Sequence, residues 1–250
     1  MSTNNPEEKR SDESPVLELS SVRFGSRTEG ALRLNQFTGK IFPRDFVRVT
    51  LESHHDPRDL ASLILGLHQP ESGKVYFQGN TWLSKDYSQH FQMRSRVGRV
   101  FAGPAWIQNL SVGENIRLSQ LHQRSDRSTV QQSLDKLIER LAGDRKGVIQ
   151  RALSRRPAVV EPATLKVCQL IRATYYRPRF LVLERPYRLL HDRIRREFLS
   201  LIAELRSEGT AVLWFADDGD ELEAAADRSI TSWTISNDIL INDSVETNHE

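Results

Sequence analysis

Apolar and polar positions alternate in short runs over the first third of the chain. Val16-Leu17-Glu18-Leu19, Phe46-Val47-Arg48-Val49-Thr50 and Lys74-Val75-Tyr76-Phe77-Gln78-Gly79 each read as a strand, because successive side chains of a strand point to opposite faces. Together they predict an N-terminal sheet. After Thr50 the period changes, and Leu60, Leu63, Ile64 and Leu67 fall at the i, i+3, i+4, i+7 spacing of one buried helical face. Asp56 and Pro57 mark the start of that helix, since a carboxylate accepts unpaired amide hydrogens at a helix N-terminus and proline already holds helical φ. The helix is therefore expected from Pro57.

From roughly residue 105 to 164 the pattern reads as helical, with Val130, Leu134, Leu137, Ile138 and Leu141 on one stripe that stops at Gly143. Leu165 to Tyr176 then reads as a helix, Phe180 to Leu183 as a buried strand, Ile194 to Leu205 as a helix and Ala211 to Phe215 as a second buried strand. Wholly apolar strands alternating with helices imply a parallel sheet joined by crossovers. Between Ser229 and Ile241, two strand-like runs flank the turn pair Asn237-Asp238. The expected organisation is a polar tail over 1–14, one domain over 15–234 with its helical part at about 105–164, and a C-terminal strand and tail over 235–250.

Composition adds exclusions. With 35 basic and 33 acidic side chains in 250 residues, a formal charge of +2 gives no global field that would draw nucleic acid or an acidic membrane. Cys168 is the only cysteine, so no disulfide can form within the chain. The longest apolar runs, near 180–183 and 211–216, fall well short of the roughly 20 residues that cross a bilayer. The N-terminus lacks the apolar core of a signal peptide. Cytoplasmic location is expected, with any attachment to the inner face of a membrane made through a partner.

Three stretches then stand out by their order and spacing. They are Leu63-Ile64-Leu65-Gly66-Leu67-His68-Gln69-Pro70-Glu71-Ser72-Gly73-Lys74-Val75, the pair Val97-Gly98-Arg99-Val100-Phe101-Ala102 and Asn109-Leu110-Ser111-Val112-Gly113-Glu114-Asn115-Ile116, and Arg177-Pro178-Arg179-Phe180-Leu181-Val182-Leu183-Glu184-Arg185-Pro186. Jointly they resemble the ATP-binding cassette family of transporter subunits, over about Val16 to Arg228. The resemblance implies an α/β, P-loop NTPase-like cassette: an N-terminal antiparallel β subdomain, a mostly parallel core sheet and an inserted helical subdomain.

The same resemblance exposes replaced positions. In a P-loop, glycines and a Lys-Ser/Thr pair let amides and an ammonium cradle phosphates, with the hydroxyl on Mg²⁺. Here the stretch is Leu51 to Arg58, with Pro57 at the lysine position, Arg58 at the hydroxyl position and the Asp56 carboxylate at the helix N-terminus. Ala102 stands at the metal-sensing glutamine. Glu184 keeps a carboxylate at the metal-side position, and Arg185 replaces the catalytic glutamate that would polarise water. Asp217 stands at the switch histidine and His191 at the D-loop aspartate. The signature loop falls at Val160-Glu161-Pro162-Ala163-Thr164, or in a rival register at Leu153-Ser154-Arg155-Arg156-Pro157, and neither contains a glycine. No catalytic residues, and no ATP, Mg²⁺ or other cofactor, are expected from these substitutions. Even an intact second cassette would meet one broken half at each shared site.

Other positions survive. Phe24 matches the aromatic on which the family stacks adenine, or else it is a core phenylalanine. Ser111-Val112-Gly113-Glu114 forms a capping box. It lies on the surface where the family receives the membrane subunit, so Trp106, Ile107, Asn109 and Leu110 are partner-facing candidates; the alternative is that Trp106 and Ile107 pack the helical part. Arg177, Arg179, Arg185, Arg188, Arg193, Arg195 and Arg196 read as a solvated face with scattered acids nearby, in preference to a phosphate or nucleic-acid site. His54-His55 lacks further ligand-spaced Cys or His, so no metal site is expected, and Cys168 reads as core. The leading expectation is a catalytically inactive cassette subunit partnering a membrane permease, a second cassette subunit or both. The rivals are an ABC transporter ATP-binding protein that still binds or hydrolyses ATP, and a soluble protein that binds another anion.

Overall fold

Two sheets carry the fold in the computed structural model, which describes residues 13–82, 86–118, 127–220, 222 and 230–242. Most of the expected N-terminal tail and the last residues of the chain lie outside this range, as do the side chains of 127–130, Val130 among them. The first sheet is antiparallel, in the order β2-β1-β4-β5, and comprises β1 (Leu17–Phe24), β2 (Leu34–Ile41), β4 (Ser72–Phe77) and β5 (Asn80–Thr81). The second contains β3 (Phe46–Leu51), β6 (Val97–Val100), β7 (Phe180–Glu184), β8 (Ala211–Asp217), β9 (Thr231–Ser236) and β10 (Ile239–Asn242). Its order is β10-β9-β3-β8-β7-β6, parallel throughout except for the β9-β10 hairpin at one edge.

The parallel strands are apolar because both of their faces are covered. Along β7, Phe180 and Val182 enter the core shared with the first sheet, while Leu181 and Leu183 enter the core beneath the helices. Trp214 of β8 is fully buried on the helical side, its ring against Phe46, Tyr187 and Phe198. The helical insert follows β6 and consists of α3 (Val112–Arg117), α4 (Arg127–Ala142) and α5 (Lys146–Leu153), packed on α6 (Pro162–Thr174). The capping box at the start of α3 forms as the sequence predicts. Helix α7 (Asp192–Ser207) crosses from β7 to β8.

Several elements depart from the sequence pattern. Helix α1 spans Arg58–Ile64, with Pro57 as its boundary residue in helical conformation. It ends a turn earlier than the apolar spacing suggests, because Gly66 adopts a left-handed φ of 64° and stops the helix. Leu67, expected on the buried face, is consequently 55% exposed. Strand β2 escaped the alternation rule: Gln36 has a φ of 53°, and the β1-β2 register shifts between Leu19 and Phe24. Helix α2 (Tyr87–Arg94) has one buried residue, Met93, and so no apolar stripe to read.

Candidate functional site

The polar groups of interest meet at the C-terminal edge of the parallel strands, the usual place for a ligand crevice in open α/β sheets. Glu184 ends β7 and is fully buried. Arg99 on the neighbouring β6 donates its Nε to Glu184 Oε1 at 2.6 Å. The terminal nitrogens of the same guanidinium reach Ser62 Oγ at 3.2 Å and the Arg58 carbonyl at 3.1 Å, joining β6 to α1. The second carboxylate oxygen of Glu184 accepts the Ala102 amide at 3.2 Å. Burial drives the Glu184 carboxyl above its ordinary value, and Arg99, the Ala102 amide and Lys166 oppose that shift.

Lys166 approaches from α6 and donates to the Phe101 carbonyl at 2.9 Å. Burial lowers its ammonium to about 8. Two more donors from the same helix follow at three-residue steps: Gln169 to the Gly103 carbonyl at 3.2 Å, and Arg172 to the Ala105 carbonyl at 2.7 Å. This ladder fastens 101–105 to α6.

Arg185 directly follows Glu184 in a left-handed conformation, φ 44°, which is strained for a residue with a Cβ. Its amide donates to the Phe215 carbonyl at 2.8 Å. Its guanidinium runs beneath the segment after β3 and donates to the carbonyls of Glu52 at 2.6 Å and His55 at 2.8 Å. It also pairs with Asp217 at the end of β8. Arg188 grips the same Asp217 through two bonds of 2.8 and 3.1 Å. Burial lowers the Arg185 guanidinium to about 10.

The N-terminus of α1 is closed by its own sequence. Asp56 accepts the Arg58 amide at 3.0 Å and the Arg58 guanidinium Nε at 2.8 Å. Burial pushes the Asp56 carboxyl up, but the bonds from Arg58 outweigh this and hold it below its ordinary value. Pro57 contributes no amide hydrogen. An internal carboxylate–guanidinium pair therefore occupies the start of this helix.

The remaining sequence candidates are dispersed. Phe24 is 6% exposed, with the His68 ring stacked near it at 6.1 Å between centroids. His191 is exposed at the boundary of α7 and makes no cap through its side chain. Helix α6 begins directly after Glu161, at the first of the two signature registers, and the Glu161 carboxylate accepts bonds from Arg145 and Thr164, both at 3.2 Å. Trp106 packs against the helical core with the Arg172 guanidinium over its ring at 4.7 Å. Ile107, 44% exposed, and Asn109 face solvent, while Leu110 is half-buried. Asn115 exchanges two hydrogen bonds with the Ile107 backbone, at 2.8 and 3.0 Å, and so fixes this surface.

Sequence reasoning missed Arg99, Lys166, Gln169 and Arg172. Polar residues at every third position of an otherwise apolar helix were a signal for the last three, since such a stripe needs a polar partner when buried. No local signal singles out Arg99, whose partner lies 85 residues away.

The two sheets, the crossover helices and the inserted helical part define the class: this is the ATP-binding cassette fold of ABC ATPases. A dimeric bacterial ABC transporter cassette superposes with a TM-score of 0.73 at 16% identity, over 90% of this chain and 96% of that one. The ATP-binding subunit of an ABC transporter gives 0.72 at 16% identity, over 90% and 88%. No family model matches the chain. Its sequence is similar to the sulfate/thiosulfate import ATP-binding protein CysA of Pectobacterium atrosepticum, 24% identical over 202 residues, and to that of Cucumis sativus, 29% identical over 214. These alignments cover 79% and 84% of this chain but 58% of either relative's length. The chain thus shares the fold of ABC transporter cassettes and is similar in sequence to ABC-type import ATP-binding proteins.

Proposed function

We propose that this chain is a cassette subunit of an ABC-type transport system that docks on a membrane permease subunit, a second cassette subunit or both, at the cytoplasmic face, without binding or hydrolysing ATP. The observation that carries the proposal is the Arg99–Glu184 pair. Hydrolysis of a phosphoanhydride needs a carboxylate free to hold Mg²⁺ and a group that orients the attacking water. Here Arg99 occupies the carboxylate at 2.6 Å, and the neighbouring position is a cation, Arg185, bonded to the backbone of 52–55. Ile107 and Asn109, exposed beside the capped start of α3, supply the docking surface in this reading.

Calorimetric titration of the full chain with Mg-ATP, with ADP and metal-free controls, tests the proposal. No heat of binding up to millimolar ATP is expected. Tight, magnesium-dependent binding would overturn it. The printed names of the relatives, which are ATP-binding import proteins, favour a second reading in which ATP binding persists. ATP turnover by the purified chain that disappears in Glu184→Ala would establish that second reading instead.

A further inference from the structure

We propose that His54, His55 and Asp238 form a binding site for a divalent transition-metal ion of the zinc type. The sequence holds the two histidines side by side with no third ligand near them. Tertiary structure supplies one, since the β9-β10 turn brings Asp238 against the segment that follows β3. One ligand atom from each residue lies within 4.8 Å of the other two. Nε2 of His54 and Nε2 of His55 each stand 3.4 Å from Asp238 Oδ1. Donors bound at about 2.0–2.1 Å to a tetrahedral zinc are spaced by about 3.3–3.4 Å, from the tetrahedral angle alone. The two separations to Asp238 match that edge, and the two imidazole donors lie within 4.8 Å of each other.

The surroundings favour an ion over a simple surface contact. Asp238 is fixed in a left-handed turn, φ 61°, and its carbonyl accepts the Arg33 amide at 2.8 Å. The Arg33 guanidinium lies 3.6 Å from Oδ2, which turns Oδ1 toward the two imidazoles. The Glu52 carboxylate is 3.7 Å from His54 Nδ1 and can orient that ring, as carboxylates do behind metal-bound histidines. The His55 side chain is 4% exposed and that of His54 is 56% exposed, so one wall is dry and one side is open for a water ligand. Two imidazoles and one carboxylate select zinc and its neighbours in the first transition row over Mg²⁺, which prefers oxygen.

Ligation has a definite proton balance. The Glu52 amide donates to His55 Nδ1 at 3.0 Å, so the neutral ring carries its proton on Nε2. Metal binding at Nε2 shifts that proton to Nδ1 with no net release from the ring, and opens the Glu52 amide bond, because Nδ1 can then no longer accept. A bound ion would tie the segment at the mouth of the α1 site to the hairpin at the far edge of the sheet. This proposal is independent of whether nucleotide binds.

Titration of the tag-free full chain with Zn²⁺, by calorimetry and with Mg²⁺ as control, reads the site directly. Co²⁺ substitution adds a visible d–d spectrum that reports the coordination geometry. One Zn²⁺ per chain is expected, with no response to Mg²⁺. Losing a single outer-shell partner already weakens metal sites by about 10–100-fold, so His54→Ala and Asp238→Asn, which remove ligands, are each expected to weaken binding at least tenfold. Asparagine tolerates the left-handed turn, and His54 is half exposed, so both variants keep the fold. Absence of stoichiometric Zn²⁺ binding, or equal binding by wild type and both variants, would show an ordinary hydrogen-bonded His-Asp cluster and overturn the proposal.

Discussion

Removing Arg99 would leave the Glu184 carboxylate buried with, among the described residues, only the Ala102 amide as a close hydrogen-bond partner. Breaking a buried ion pair from one side costs about 3–5 kcal/mol, because the surviving charge keeps its desolvation penalty. Arg99→Met is expected to destabilise the protein by that amount in urea unfolding, and the double variant Arg99→Met/Glu184→Gln to recover most of the loss. A single-variant cost below about 1 kcal/mol, the scale of an exposed pair, would mean that solvent reaches the site. At this scale the sequence identified the residue types at the site but not their use. Arg185 could be read as a cation that cannot polarise water. That its guanidinium would span beneath 52–55, and share Asp217 with Arg188, depends on three chain segments meeting.

Strand β6 and helix α6 approach too closely for any side chain at Gly98. A Cβ there would stand 2.0 Å from the Ala173 carbonyl oxygen, so backbone must move to admit it. Overpacking of this kind costs about 1–3 kcal/mol, and Gly98→Ala is expected to lower the denaturant midpoint accordingly. The same shift would strain the Lys166, Gln169 and Arg172 ladder, which amide exchange at 101–105 would report as faster opening. Elements with one unbroken period, such as β7, β8 and α7, were legible in the sequence. Strand β2 was hidden by its bulge, and the end of α1 was misplaced because Leu67 fits the helical spacing while Gly66 ends the helix.

The two hydrophobic cores lie on opposite faces of one parallel sheet, and alternate residues of β7 and β8 feed each of them. Neither core can be lost without exposing the other face of the same strands. Thermal unfolding followed by tryptophan fluorescence and by far-ultraviolet circular dichroism should therefore give coincident transitions; separated midpoints would show that the antiparallel sheet melts alone. The sequence by itself determined the parallel core, the burial of its strands and the residue types along the site, since periodicity and residue type record which face a side chain occupies. Only the tertiary structure decided which charges meet. Arg99 finds Glu184 across 85 residues and His54 finds Asp238 across 184. A local pattern carries no information about a neighbour that distant, because strand order and crossovers, rather than spacing along the chain, bring such groups together.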